Sequence, residues 1–460
     1  MLSKQLEQRF EEIKKISKDL GFDPFDINFE IVTNDIMHEI CAYGLPTRAR
    51  HWSHGAAFEH NKIYGEMGYS KVYEVILNNN PAYAFLLETN KDIDNTMVAA
   101  HVIGHSHYFK NNALFANSDR NMVYHAAERA NRIEAYIEEY GIDKVEKIMD
   151  IAFSLDRHID PHKGVFRKKY DDAKTIKVQH QRGEFDDLLP GKRRPVVEYK
   201  KIGQELPPYP EKDFLWFLAN YAKLEHWEKD ILEIIREESH YFYPQYMTKI
   251  SNEGLASYAH TEIMHRMNLT PGEMIDFACT HERVVQPGSN PFRMNPYYLG
   301  LKILRDVEKK YGRDKMFDVC SIESDTSLIR NYLTGDLVQE LGLFNYGYKC
   351  ETKHAKGQRC SDCSFIELKD KDLDKIINSL IRPMQNYGVP NLAITKINGD
   401  IMTITHTPDE FGTMDFKYAE RTMELMFQLW GAPIEIETID EEGKPLALSY
   451  DETGFEIITP

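Results

Sequence analysis

The segment His101-Val-Ile-Gly-His105-Ser-His107 sets two imidazoles four residues apart. On a helix that spacing stacks both rings on one face, a turn apart, as in metal-binding H-x-x-x-H helices. Two ligands do not fix a metal; catalytic zinc normally takes three from the protein and keeps a position for water. The run Ser251-Asn-Glu253-Gly-Leu-Ala256 offers a carboxylate at a helix start, and Gly254 and Ala256 permit close helix packing. His260, seven residues on from Glu253, shares its face. His101, His105, Glu253 and His260 are thus the candidate ligands, for zinc or another divalent metal. The competing account is hydrogen-bonded structural histidines and a carboxylate held by the helix dipole. His107 faces away if the helix runs on through Gly104. In zinc hydrolases of this pattern a Glu follows the first His and acts as general base; here Val102 stands in that place. Glu88, Glu128 and Glu59 are candidates for the missing base.

Three further groups carry polar chemistry. Arg48-Ala-Arg50-His51-Trp-Ser-His54, in a segment with turn residues, could hold an anionic substrate group such as a peptide carboxylate. Lys110 and Asn111, just past the histidine helix, either cap it or line the mouth of the site. In Asn295-Pro-Tyr297-Tyr298 the tyrosines could donate to an oxyanion opposite the metal, with Tyr298 the candidate, or the segment is simply a helix start with Pro in its first turn. Cys350, His354, Cys360 and Cys363 have the composition of a closed structural zinc site, a second metal distinct from the first; free thiols are the alternative.

These groups need elements to position them. Apolar residues at Leu6, Phe10, Ile13, Ile16 and Leu20 predict an N-terminal helix. Lys71–Leu77 and Ala82–Leu87 read as a hairpin around Asn78–Pro81. Helices are expected over Asp94–Lys110, Met122–Glu139, Ile142–Leu155, from Asp213, over Trp227–Glu238, Asn252–Met267 and Asn295–Tyr311. Near the C-terminus, strands Ala393–Ile397 and Asp400–His406 flank Asn398-Gly399, a hairpin turn. A helix over Lys417–Leu429 and strands Pro433–Thr438 and Pro445–Tyr450 complete a small α+β module.

The expected class is α+β: a mainly helical, zincin-like core with a small β-sheet, plus that C-terminal module. Residues 1–155 and 213–345 form the two halves of the core. Residues 156–212 are a charged insertion or linker, 346–383 a Cys/His loop with a linker helix, and 384–460 the module. The chain has 460 residues and a net charge of −17, which argues against a nucleic-acid partner. No stretch has the length and apolarity of a membrane span, and the charged N-terminal helix is not a signal peptide, so the expected location is the cytoplasm.

GLPTRARHWSHGAAFEHNKIYGEMGYSKVYEVILNNNPAYAFLLETN, AHVIGHSHYFKNN, HYFYPQ, NEGLASYAH and NPYYLGLKI, in this order and spacing, resemble the stage V sporulation protein R (SpoVR) family of bacteria. The likeness runs across nearly the whole chain. It implies a role in assembling the spore cortex, a specialised peptidoglycan, although relatives also occur in bacteria that form no spores. The Cys350–Cys363 cluster is no part of the resemblance. Chemistry and resemblance together point to a metal-dependent peptidase or amidase acting on a peptide or cell-wall precursor. The rival is a non-catalytic regulatory or scaffold partner of cortex-synthesis proteins with a degenerate or structural metal site. A non-hydrolytic metal enzyme is a third option, because two His and a carboxylate also hold iron.

Overall fold

Leu6, Phe10 and Ile13 bury one face of α1 (Lys4–Asp19), as their spacing requires. The computed structural model describes residues 4–66, 74–170, 174–179, 197–202, 206–287, 294–349, 365–408 and 413–459. Contacts divide the chain into two units, Met1–Glu146 with Glu238–Gly388, and Lys147–Glu237 with Val389–Pro460. Residues 213–237, expected in the second half of the core, thus group with the C-terminal module.

In the first unit, α1 is followed by β1 (Ile27–Val32), α2 (Asn34–Tyr43) and α3 (Trp52–Glu66). The segment read as turn-rich around Arg48–Gly55 therefore enters a helix at Trp52. Next come β2 (Glu74–Leu77) and β3 (Ala82–Leu87), the expected hairpin, which pairs with β1 in the order β1-β3-β2. The β1 pairing is parallel and the β2 pairing antiparallel, with Glu74 opposite Leu86. Helix α4 (Asp92–Asn111) carries the histidines, and α5 (Met122–Tyr140) and α6 (Ile142–Leu155) follow, the last belonging to the second unit from Lys147 on.

The chain returns through α8 (His226–Met247) to α9 (Lys249–Met264), which bears Glu253 and His260. Beyond it lie α10 (Pro271–Val285), α11 (Pro296–Tyr311), α12 (Arg313–Ile322), α13 (Asp325–Tyr332), α14 (Gly335–Leu341), the pair β6 (Asn345–Lys349) and β7 (Phe365–Asp370), and α15 (Leu373–Ile381). Thr270 and Glu273 form a capping box on α10, and Asn295 caps α11 ahead of Pro296. The first turn of α9 is held from α13: the Asp325 carboxylate accepts the N–H groups of Ile250 and Ser251 at 2.7 and 2.9 Å and the Ser251 hydroxyl at 2.9 Å. Burial nonetheless pushes the Asp325 carboxyl up to about 6.

Helix α4 is buried on every face from Ile93 to Phe109 and is the axis of this unit. Its closest neighbour is α9. A Cβ added at Gly104 would lie 2.5 Å from Ala256 Cα, so the two backbones touch. On its other side α9 touches α11 in the same way: a Cβ at Gly300 would meet the Ile250 carbonyl and sit 2.8 Å from Gly254 Cα. Gly104 does not break α4; it lets α9 come close.

The second unit contains β4 (Lys174–Gln179) and β5 (Val197–Ile202), α7 (Phe214–Tyr221), and the module β8 (Leu392–Asn398), β9 (Ile401–His406), α16 (Phe416–Trp430), β10 (Ile434–Ile439), β11 (Pro445–Asp451) and β12 (Gly454–Ile458). Its sheet runs β12-β11-β10-β9-β8, with β9 and β10 parallel. Glu211 and Ile394 exchange backbone hydrogen bonds at 2.8 Å, which adds the end of the charged stretch to this sheet. The Glu211 side chain is fully buried, accepts from Lys163 and Tyr170 and forms an ion pair with Arg167, while buried Asp213 caps α7 and pairs with Arg236 at 2.7 Å. These residues are ordered core, not linker. Taken over the whole chain the class is α+β, mostly helical with small sheets.

Gly300→Ala should destabilise the first unit by about 1–3 kcal/mol or more, because the methyl meets backbone on α9 that cannot yield without moving the helix. Gly272→Ala, where nothing lies within 4 Å, should stay within about 1 kcal/mol of wild type. Thermal and urea unfolding of both variants measures the contrast.

Candidate metal centre

His101 and His105 point into one space from consecutive turns of α4, their rings 4.7 Å apart and nearly perpendicular. Glu253 reaches the same space from α9. Its Oε2 lies 3.4 Å from His101 Nε2 and 3.3 Å from His105 Nε2. Glu74, on β2, is the fourth member, with Oε1 3.7 Å from His101 Nε2. One donor atom each from Glu74, His101 and His105 falls within 4.8 Å of the others. Around a tetrahedral ion with bonds near 2.1 Å, donors stand about 3.4 Å apart. The observed separations fit that spacing. Two of the atoms, His101 Nε2 and Glu253 Oε2, are buried and make no hydrogen bond.

Outer contacts orient both rings. His105 Nδ1 lies 2.9 Å from Asn252 Oδ1, an acceptor only, so Nδ1 donates to it and Nε2 is turned toward Glu253. His101 Nδ1 lies 2.9 Å from His260 Nδ1, and His260 Nε2 lies 2.7 Å from His281 Nδ1 on α10. His260 is therefore not among the converging donors: both its nitrogens are engaged elsewhere, and it backs His101.

Charge divides unevenly within the cluster. Burial opposes ionisation of Glu253, but His105 and His101 outweigh it and hold the carboxyl below the usual range. Burial likewise opposes charge on His105, but Glu253 raises its pKa. Burial raises the Glu74 carboxyl, against the pull of His101 and His105. Burial, and then His101, press His260 well below the ordinary imidazole value. Tyr297, stacked on the His101 ring at 6.0 Å, has its phenol raised by burial and by Glu253 and Glu74.

The remaining sequence candidates lie elsewhere. Glu88, Glu128 and Glu59 are exposed, Glu88 just past the end of β3 and the others on α5 and α3. Tyr298 sits under Lys302, whose Nζ is 5.6 Å from the ring centre; Tyr297 is the tyrosine at the site. Arg48 pairs with Glu238 at 2.6 Å, and Arg50 with Glu134 at 2.8 Å. His51 Nδ1 is 2.7 Å from the Ser53 hydroxyl, and His54 packs on Tyr43. Lys110 bonds Asp23, and Asn111 donates to the Asp23 and His107 carbonyls, so these two tie down the end of α4. Cys350, His354, Cys360 and Cys363 lie outside the described residues.

The family profile described as SpoVR-like protein matches residues 1–385. The chain belongs to the SpoVR family. It is also 26% identical to the uncharacterised protein YcgB of Escherichia coli (strain K12), over 94% of this chain and 91% of that one. No solved structure matches it. The matched range spans the residues of the cluster. No helix of this SpoVR-family chain, among the described residues, is long and apolar enough to cross a membrane.

Sequence reasoning missed four site residues. Glu74 had a signal, a carboxylate within the apolar strand KVYEVIL. Asn252 sits beside Glu253 in the same run, but its pairing with His105 is a contact between two helices. Tyr297 and Tyr298 are adjacent in one helical turn, and sequence does not choose between them. His281, on another helix, gave no signal.

His107, on the opposite face of α4, accepts the Asp23 N–H at Nδ1, and burial pushes it down to about 4. An imidazole lowered on folding leaves the unfolded chain holding more protons between that value and its ordinary one near 6.5. Stability should therefore fall as pH drops from about 6.5 to 4, by roughly 3 kcal/mol from this residue, and level off below. In urea unfolding across this range, His107→Gln should show a shallower dependence than wild type.

Proposed function

We propose that this SpoVR-family chain is a metal-dependent hydrolase of peptide or amide bonds, zincin-like in its use of two helices. His101, His105 and Glu253 are the ligands, Glu74 the general base. The observation that carries the reading is the pair of buried, unpartnered atoms, His101 Nε2 and Glu253 Oε2, 3.4 Å apart. Leaving such atoms unpaired is costly in a protein interior, and a divalent cation satisfies both at once. The chemistry such an ion supplies is polarisation of a scissile carbonyl and activation of water near neutral pH.

The chain's own residues supply the rest. Glu74 takes the role that Val102 leaves open in the usual motif. Burial raises its proton affinity, which suits a base working near neutrality. It accepts the proton of the attacking water and returns it to the leaving amine. Tyr297 keeps its phenolic proton and donates to the oxyanion that develops on the carbonyl. The family name ties the chain to sporulation. On that ground we assign it a peptide of cell-wall type as substrate, a role in cortex formation and a cytoplasmic location. Val102, apolar and fully buried, favours a second reading in which the metal is structural and the protein is a non-catalytic partner of cell-wall synthesis.

Metal analysis of the purified protein tests the first step. Wild type should hold close to one equivalent of zinc or another divalent ion, and His105→Ala and Glu253→Ala should lose it while keeping their circular dichroism. A metal-free wild type rejects both metal readings. Glu74→Gln should retain the ion but lower turnover of a muropeptide or peptide substrate by about 10²–10⁴-fold. Full metal occupancy with no turnover in wild type selects the structural reading.

A further inference from the structure

We propose that His260 and His281 are positioning residues that fix the tautomer of His101, and through it the metal affinity of the site. The inference rests on the metal reading above. The three imidazoles form a chain across three helices: His101 on α4, His260 on α9, His281 on α10. The links are Nδ1 to Nδ1 at 2.9 Å and Nε2 to Nδ1 at 2.7 Å.

Two ring nitrogens at hydrogen-bond distance need one proton between them. His260 uses both nitrogens in such contacts, so with one proton it donates in one direction and accepts in the other. Two arrangements satisfy the chain. In the first, His101 Nδ1–H donates to His260 Nδ1, and His260 Nε2–H donates to His281 Nδ1. His101 Nε2 is then a bare lone pair facing Glu253 and Glu74. In the second, every proton shifts the other way, and His101 carries N–H at Nε2, where it points at the carboxylates and cannot bind a metal.

A cation at the centre requires the first arrangement, because only there does His101 Nε2 offer a lone pair toward Glu253, 3.4 Å away. The far end of this arrangement is His281, half-buried on α10, whose Nδ1 is the acceptor that it needs. His260, by contrast, is fully buried with no alternative partner for its Nε2 among the described hydrogen bonds. His281 is thus the point at which a residue outside the ligand set determines whether His101 can serve as a ligand.

The test compares His281→Gln, whose amide oxygen can still accept from His260, with His281→Leu, which cannot accept. Zinc affinity of the full chain is measured by competition with a chelator, and folding by thermal melting. We expect His281→Leu to bind zinc about 10–100-fold more weakly and His281→Gln to stay within about 3-fold of wild type, with both melting cooperatively. Equal affinity in His281→Leu and wild type, or equal losses in Leu and Gln, overturns the proposal while leaving the metal site standing. A wild type that binds no zinc overturns the metal reading and this inference together. ¹⁵N imidazole shifts of the metal-free wild type give an independent readout that needs no variant. His101 should be the Nδ1–H tautomer, and the Nε2–H tautomer contradicts the proposal.

Discussion

Three helices touch through their backbones, and the site depends on it. Side chains normally hold packed helices about 8–10 Å apart. At Gly104 against Ala256, and at Gly254 against Gly300, there is no room for even a methyl group. The close approach brings α4, α9 and α11 within reach of one another's short polar side chains. Glu253 is flanked by Gly254, so the carboxylate stands beside the point of closest contact. His101 and His105 lie a turn apart on the facing side of α4, and Tyr297 enters from the first turn of α11. A larger residue at Gly104 would push α4 and α9 apart and open distances that now stand at 3.3 and 3.4 Å.

A polar cluster buried at this depth needs internal compensation. Transferring an ionised carboxylate into a protein interior is expensive unless it is paired or hydrogen-bonded. Outer contacts answer most of that need: Asn252 serves His105, and His260 with His281 serves His101. Asp325 fixes the first turn of α9 and so the position of Glu253. What these contacts leave unanswered is confined to the centre, at His101 Nε2 and Glu253 Oε2. Among the side chains of this cluster, the atoms without a hydrogen bond thus face one another at the centre. A cluster serving only to hold helices together would have no reason to concentrate its unpaired atoms at one point.

Several helices were legible because their periodicity is strong, while α8 runs nine residues past its expected end at Glu238. Ile142–Leu155 and the hairpin Ala82–Leu87 have the expected bounds, and α4, α5, α11 and α16 differ from expectation by a residue or two at their ends. His101, His105 and Glu253 were legible because i, i+4 spacing and an acidic residue beside small ones are local signals. Glu74 was not, because only the pairing of β2 with β3 carries it to α4. His260 was misplaced by the same logic that found it. Sharing a helical face with Glu253 puts it near the site, but seven residues are two turns, and the ring reaches the back of His101 instead of the centre. The charged stretch after His158 misled because its composition is that of a linker. Glu211 and Asp213 are buried by ion pairs that sequence does not display.

The two carboxylates of the centre differ in a way that their chemistry would use. Glu253 lies within 3.4 Å of both imidazole Nε2 atoms, and their pull holds it ionised despite burial. Glu74 is more distant, at 3.7 Å from one imidazole, and its burial prevails, so its proton affinity rises. When two acidic groups in one site are pushed in opposite directions, one becomes the permanent charge and the other the group that exchanges a proton. Their supports match this division. Glu253 stands on a helix whose first turn is bound by Asp325 and whose flank is pressed against another backbone, a rigid mount suited to a ligand. Glu74 opens a short edge strand, held on one side only by β3. A base that must accept a proton and then release it is better placed there than on α9, where any displacement would carry the ligand set with it.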